Sequence, residues 1–160
     1  MPGMSASSTV RAASGIAPDL KERLRKRLAS SPALQWLRPS LEELDLDTAV
    51  VKLEYREEIT NGSGTVHGGV LAALADTAVA FALATNFDGK MGFATSDLTI
   101  HFLRRARGDV WARARIVKKG KRVNVGDVEI VDRQGRAVAR VLASFLLTTS
   151  SFDYVPEGKP

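Results

Sequence analysis

Cysteine is missing from all 160 residues, which excludes disulfides, thiolate metal ligands and a cysteine nucleophile. The absence is compatible with a reducing cytoplasm, the location expected here. Histidine is almost as scarce, with only His67 and His101 present. A zinc site would have to be built mostly from carboxylates, against the usual ligand pattern, and no metal is expected. Aromatic residues make up 6% of the chain; few are interleaved with its basic residues, and no nucleic-acid reader motif is present. One clear helical pattern precedes the bulk of the chain, too little for a helix-turn-helix. Met1 to Ser14 are rich in Ser, Ala and Gly but lack the apolar segment of a secretory signal. The longest apolar stretch, Gly68 to Ala84, is broken by Asp76 and is short for a membrane span. Neither nucleic acid nor membrane is expected as a partner.

What is there suits one domain. A chain of 160 residues with 44% apolar content can bury a real core, and is too short for two comfortable ones. Residues 1–17 are expected to be a flexible tail and 149–160 a loosely held one. Residues 18–148 form the domain, with a helical segment over 18–40 and a core over 47–148. Leu20, Leu24 and Leu28 recur at helical spacing behind Pro18 and Asp19, predicting a short amphipathic helix. Ser30 to Pro39, with Pro32, Leu34, Trp36 and Leu37, reads as a loop or short helix packed over the main domain.

Alternation predicts strands. Val51, Leu53 and Tyr55 alternate with Lys52, Glu54 and Arg56; Val110, Ala112, Ala114 and Ile116 alternate with Trp111, Arg113 and Arg115. Leu98, Ile100 and Phe102 mark another strand, with Asp97 and His101 on its wet face. Val123 and Val125 share a phase that changes to Val128 and Ile130, which predicts a bulge near Gly126. Asp132 to Gly135 reads as a tight turn, followed by a strand whose buried face is Ala137, Ala139, Val141, Ala143, Phe145 and Leu147. Strands around one apolar helix make an α+β pattern.

The most unusual segment is Asn61-Gly-Ser-Gly-Thr-Val-His67-Gly68-Gly69 and the apolar helix behind it, whose sole charged residue is Asp76. The glycines permit close approach of another chain or a ligand, and the first amides of the helix favour negative charge. The plainer readings are a turn asparagine, a structural histidine, and an aspartate that caps a loop or pairs with an arginine.

The arrangement of Asn61, then His67-Gly68-Gly69 six residues on, then Asp76 nine after the histidine, resembles the motif of hotdog-fold acyl-CoA thioesterases. It is most similar to the PaaI-like, phenylacetate-pathway branch of the 4-hydroxybenzoyl-CoA thioesterase superfamily, over about Val50 to Leu147. The resemblance implies an α+β hotdog fold, an antiparallel sheet wrapped around the central helix. It also implies hydrolysis of an acyl- or aryl-CoA, a homodimer often paired into a homotetramer, and no cofactor beyond the coenzyme A of the substrate.

Geometry bears on assembly separately. Gly68 and Asp76 are eight residues apart, roughly 12 Å along a helix, too far to reach one carbonyl together. Two antiparallel helices across a two-fold axis would bring the N-terminus of one beside the Asp76 of the other. A thioester passes through an oxyanion, for which the Gly68 amide is the natural donor. Asp76 is then nucleophile or general base, Asn61 orients the water or the aspartate, and His67 shapes the turn and holds the thioester. Thr95 matches the family's hydroxyl residue that holds the lytic water, with Ser96 as the alternative; Gly69 joins the substrate site. Val70, Leu74, Val79 and Phe81 are helix residues able to accommodate an acyl or aryl group.

Charge is uneven. Residues 103–122 hold nine basic groups and one acidic, whereas 41–102 hold three and ten. Arg104, Arg105, Lys119, Lys121 and Arg122 are candidates for the phosphates of coenzyme A, or, at Lys118 to Arg122, simply a solvated hairpin tip. Two other functions stay open: a non-catalytic acyl-CoA binding or sensing protein, and a hotdog hydratase or dehydratase, whose pattern relies on a histidine instead.

Overall fold

The helix that begins at Gly68 is apolar almost all round, so it folds only where something covers it. In the computed structural model, which describes residues 15–88 and 91–151, a six-stranded antiparallel sheet does so. Two short helices, α1 (Leu20–Ser30) and α2 (Pro32–Leu37), lead into β1 (Ser40–Asp45) and β2 (Thr48–Leu53). The central helix α3 (Gly68–Ala84) follows, then β3 (Met91–Phe102), β4 (Val110–Lys118), β5 (Val123–Asp132) and β6 (Ala137–Ser151). Strand order is β1-β2-β4-β5-β6-β3. By length and composition Gly68–Phe87 could cross a membrane, but here the sheet buries most of it.

The inward rows are Val51 and Leu53, Val110 to Ile116 at alternate positions, Val128 and Ile130, and Ala139 to Phe145 at alternate positions, all buried against α3. Leu20, Leu24 and Leu28 are buried as the spacing of α1 predicts. Asp132 to Gly135 forms the expected turn, with the Asp132 carboxylate accepting the amides of Gln134 and Arg136 and Gly135 at φ 74°.

Several expectations need correction. A strand, β1, lies at 40–45, ahead of the predicted core; its run of Glu42, Glu43 and Asp45 hides the pattern because it is an edge strand with few inward residues. The last strand continues to Ser151, past the expected boundary at 148. The tail at 1–17 falls mostly, and that at 149–160 largely, outside the described residues. Tyr55 lies beyond the end of β2 and is exposed, its hydroxyl donating to the Gly64 carbonyl.

No bulge falls at Gly126. The inward phase of β5 runs Asn124, Gly126, Val128, Ile130, leaving Val123 outside, and the extra residue is Val117 on the facing strand β4. Gly126 holds an inward position without a side chain because a Cβ there would come within 2.4 Å of Val79 Cγ1. The sheet therefore presses close on α3 at this point, and the missing side chain looked like a broken alternation.

The two sheet edges differ. Along β1, α1 covers the edge and satisfies its free carbonyls, with Lys21 donating to Glu42 O and Arg25 to Leu41 O. The outer edge of β3, twelve residues long, has no strand partner among the described residues. Beside it α3 leaves one stripe uncovered, consisting of Gly69, Ala72, Ala73, Asp76 and Ala80.

Candidate active site

The turn before α3 is held by Asn61. Its Oδ1 accepts from Ser63 N at 3.0 Å, Ser63 Oγ at 2.9 Å and Thr65 Oγ1 at 3.0 Å, the arrangement that lets a short side chain replace backbone pairing in a turn. The carbonyl oxygen is therefore used inside the loop, and only the Asn61 amide nitrogen remains for a ligand.

His67 caps the helix. Its Nδ1 accepts from Gly69 N at 3.0 Å, which puts the proton of the neutral ring on Nε2, while its carbonyl accepts from Val70 N and Leu71 N. The expected role of Gly69 is corrected by this bond: its amide is committed to the cap. Gly68 N–H, by contrast, has no partner among the described residues, so it is the donor available at the positive end of the helix. The Phe102 ring lies over Gly68, where a Cβ would meet it at 3.0 Å. Phe102 is 56% exposed rather than buried, because its inward row runs past the first turn of α3.

Asp76 faces the bare stripe of α3, and Thr95 Oγ1 donates to its Oδ1 at 2.7 Å. Burial pushes the Asp76 carboxyl above its ordinary range, and the Thr95 bond pulls it partly back. Thr95 reaches the helix through a bulge in β3. Thr95 pairs with Phe145 and Asp97 with Ser144, which leaves Ser96 as the extra residue. Simple alternation would put Thr95 on the outer face with Asp97; the bulge turns it inward. Ser96 instead donates to Ser144 O at 3.2 Å, so Thr95, not Ser96, meets the carboxylate.

One cleft of about 330 Å³ is lined by Asn61, Gly68, Leu71, Phe102, Arg104 and Arg105. Asp76 and Thr95 are absent from its lining, so one chain holds the two parts of the predicted site in separate places. Arg104 donates to Ala137 O at 2.8 Å. Lys119 is engaged elsewhere, 2.8 Å from Asp47 Oδ2 and 3.2 Å from Asn86 Oδ1. It pins the β4–β5 hairpin to the end of α3 and does not offer its charge to a ligand. Lys121 and Arg122 are exposed at that tip, the far end of β4 from Arg104 and Arg105. Val70, Leu74, Val79 and Phe81 are all buried in the core, so they line no opening. Among the described residues no group of three His, Asp or Glu side chains could hold a metal ion.

Comparison with known proteins bears on this arrangement. The model of the thioesterase superfamily matches residues 63–139. Acyl-coenzyme A thioesterase PaaI of Escherichia coli is 41% identical over 98 residues, spanning 60% of this chain and 68% of that protein. Human acyl-coenzyme A thioesterase 13 is 29% identical over 94 residues, 57% of this chain and 66% of that one. The solved structure of the E. coli PaaI protein superimposes with a TM-score of 0.73 at 28% identity over the longer structural match, which covers 82% of this chain and 98% of that one.

Proposed function

The chain belongs to the thioesterase superfamily, and from that membership we propose that it is a PaaI-like hotdog acyl-CoA thioesterase, cleaving the thioester to free acid and coenzyme A. The observation that carries the reading is the pairing, on one helix, of an unpartnered N-terminal amide at Gly68 with a hydroxyl-bound carboxylate at Asp76. Base and oxyanion donor are both protein groups, so the step calls for no cofactor; coenzyme A belongs to the substrate.

The site is composite. The bare β3 edge and the small-residue stripe of α3 support a homodimer in which β3 pairs with its copy and the two α3 helices run antiparallel. Gly68 of one subunit then faces Asp76 and Thr95 of the other. Exposed Val123, Leu142 and Leu146 on the outer face of the sheet support a further pairing into a dimer of dimers. Cysteine-free and with its apolar helix wrapped, the chain is read as a soluble cytoplasmic enzyme.

Asp76 acts as general base in this scheme. Its raised affinity for a proton suits the task, and Thr95, whose hydroxyl donates a hydrogen bond to Oδ1, can still accept one from a water. Asp76 Oδ2 takes that water's proton as the oxygen attacks the thioester carbon. The carbonyl oxygen becomes an oxyanion on the Gly68 amide; collapse expels the coenzyme A thiolate, which recovers the proton from Asp76. His67 Nε2–H and the Asn61 amide hold the substrate.

The test is release of free thiol from a panel of acyl- and aryl-CoA esters. Steady turnover supports the hydrolase; tight binding without turnover transfers the site to an acyl-CoA sensor. Label found in Asp76 after a single turnover in heavy-oxygen water identifies a nucleophile whose own carboxyl carbon is attacked by water, because a general base never acquires it.

A further inference from the structure

The turn that carries Asn61 is fixed at its base and exposed at its tip. At the base Thr60 bridges to Val66, while His67 N donates to Ile59 O and Val66 N to Ala106 O, both at 2.9 Å. Ile59 and Ala106 are buried, so this end belongs to the body of the domain. The tip is Gly62, Ser63 and Gly64, all exposed. Two of the three are glycine, whose backbone loses most freedom on being ordered, and Gly64 is held at φ 67°. From inside the turn, Asn61 gathers the tip. Its carbonyl accepts from Gly64 N, and its Oδ1 accepts from Ser63 N and Ser63 Oγ. Among the described residues one hydrogen bond reaches the tip from outside, and Tyr55 makes it, donating from Oη to Gly64 O at 2.8 Å.

Tyr55 is itself held in place. Its backbone N–H donates to Asp109 Oδ1 at 2.9 Å, and Asp109 Oδ2 lies 3.5 Å from Lys52 Nζ and 3.4 Å from Arg133 Nη2. A strut thus runs from the residue before β4, through Tyr55, to the tip of the Asn61 turn. The Tyr55 residue is 39% exposed and lies outside the core, so burial does not account for a tyrosine here. Its hydroxyl restrains the Gly64 carbonyl, and with it the donors of Ser63 and Thr65 that occupy Asn61 Oδ1. Those donors decide which end of the Asn61 amide is left over. With the oxygen taken, the Nδ2 donor is the end presented to the cleft that Asn61 and Gly68 share.

We infer that Tyr55 is a positioning residue for the reaction, its hydroxyl bracing the turn that aims the Asn61 amide at the substrate. The inference rests on the acyl-CoA reading of the Gly68 cleft. Tyr55 touches no reacting atom; it acts through Asn61, and its effect is felt where Asn61 acts, in holding the substrate.

The experiment is a double-mutant cycle of Tyr55→Phe with Asn61→Asp. It is read as kcat and KM for an acyl-CoA ester and, by calorimetry, as affinity for the non-hydrolysable thioether analogue of that ester. Tyr55→Phe removes one O–H and keeps the ring; Asn61→Asp keeps an oxygen for Ser63 and Thr65 and removes the amide donor. Alone, Tyr55→Phe is expected to raise KM and weaken analogue binding by about three- to tenfold, the scale of one net hydrogen bond, with kcat little changed. In the Asn61→Asp background the same change is expected to alter either quantity by less than about twofold. The Gly64 and Thr65 amide hydrogens, both bonded to Asn61, should exchange faster in Tyr55→Phe. Unchanged KM and affinity in Tyr55→Phe, an equal loss in both backgrounds as a merely structural role would give, or unchanged exchange overturns the assignment while leaving the thioesterase intact. A wild type that binds the analogue but cleaves no ester overturns the hydrolase, and the binding cycle then decides on Tyr55 by itself. A wild type that neither binds nor cleaves overturns both.

Discussion

Thr95 and Asp76 lie nineteen residues apart in the chain and 2.7 Å apart in the fold, hydroxyl to carboxylate. The contact joins the bare edge strand to the open stripe of the central helix. It therefore sits where a second subunit is proposed to meet this one.

Removing the carboxylate tests the base directly. Asp76→Asn and Asp76→Ala are expected to lower turnover of acyl-CoA by about two powers of ten or more, measured as thiol release. The same Asp76→Asn change should raise the thermal midpoint by a few degrees at neutral pH. A carboxyl whose folded pKa lies above its unfolded one binds its proton more tightly in the native state. Stability from that source is present below the unfolded pKa and is lost as pH rises through the folded pKa. Activity lost without any gain in stability would contradict the burial argument.

Thr95→Val deletes the hydrogen bond that holds the Asp76 carboxyl down, so its pKa moves further up. Because the base must be ionised, the acid limb of kcat/KM should shift to higher pH, and the rate below that limb should fall most. Thr95→Ser keeps the donor and should keep the wild-type limb. A pH profile identical in Val and Ser variants would remove Thr95 from the site.

Gly68→Pro offers a way to delete one N–H without breaking the helix. Gly68 is the first helical residue, a position where proline is favoured, and His67 before it has ψ 137°, the extended conformation that proline requires of its predecessor. Turnover is expected to drop by about two to three powers of ten, the scale for one oxyanion donor. Unfolding and refolding an equal mixture of Gly68→Pro and Asp76→Asn chains should restore about a quarter of wild-type activity, since half the dimers are mixed and each holds one complete site. Zero restored activity, with mixed dimers demonstrated by mass spectrometry, would argue against sharing.

Gly126→Ala should destabilise the protein by about 1–3 kcal/mol in a denaturant titration, the usual cost of overpacking, because the new Cβ would lie 2.4 Å from Val79 Cγ1. Adding Val79→Ala should recover much of the loss. Independent, additive losses would mean that the helix and β5 do not touch there.

The legible elements were those whose pattern is set by one dominant neighbour. The apolar run of α3, the leucine spacing of α1 and the alternation of β4 all face the same core, and their burial follows the sequence. The illegible ones depend on a partner far along the chain. β1 is an edge strand protected by α1, so its acidic residues carry no alternation to read. The break in hydrophobicity at Gly126 reflects contact with Val79, while the real bulge sits across the ladder at Val117. Lys119 looked like a free cation and is held by Asp47 and Asn86, residues from two other turns.

The candidate site divides in the same way. The residue types and their order along the chain, from Asn61 through His67 and Gly68 to Asp76, were determined by the sequence alone, as was the roughly 12 Å that separates amide from carboxylate on any helix. Which donor stays free was decided only in the fold, because His67 Nδ1 takes the Gly69 amide and leaves that of Gly68 unpartnered. Which hydroxyl meets Asp76 was decided there too. A single extra residue at Ser96 reverses the faces of β3, and nothing in a two-residue period records where such an insertion falls. Hydrogen bonds go to whichever group the packed chain brings within reach, and that is a property of the assembled elements, not of their order.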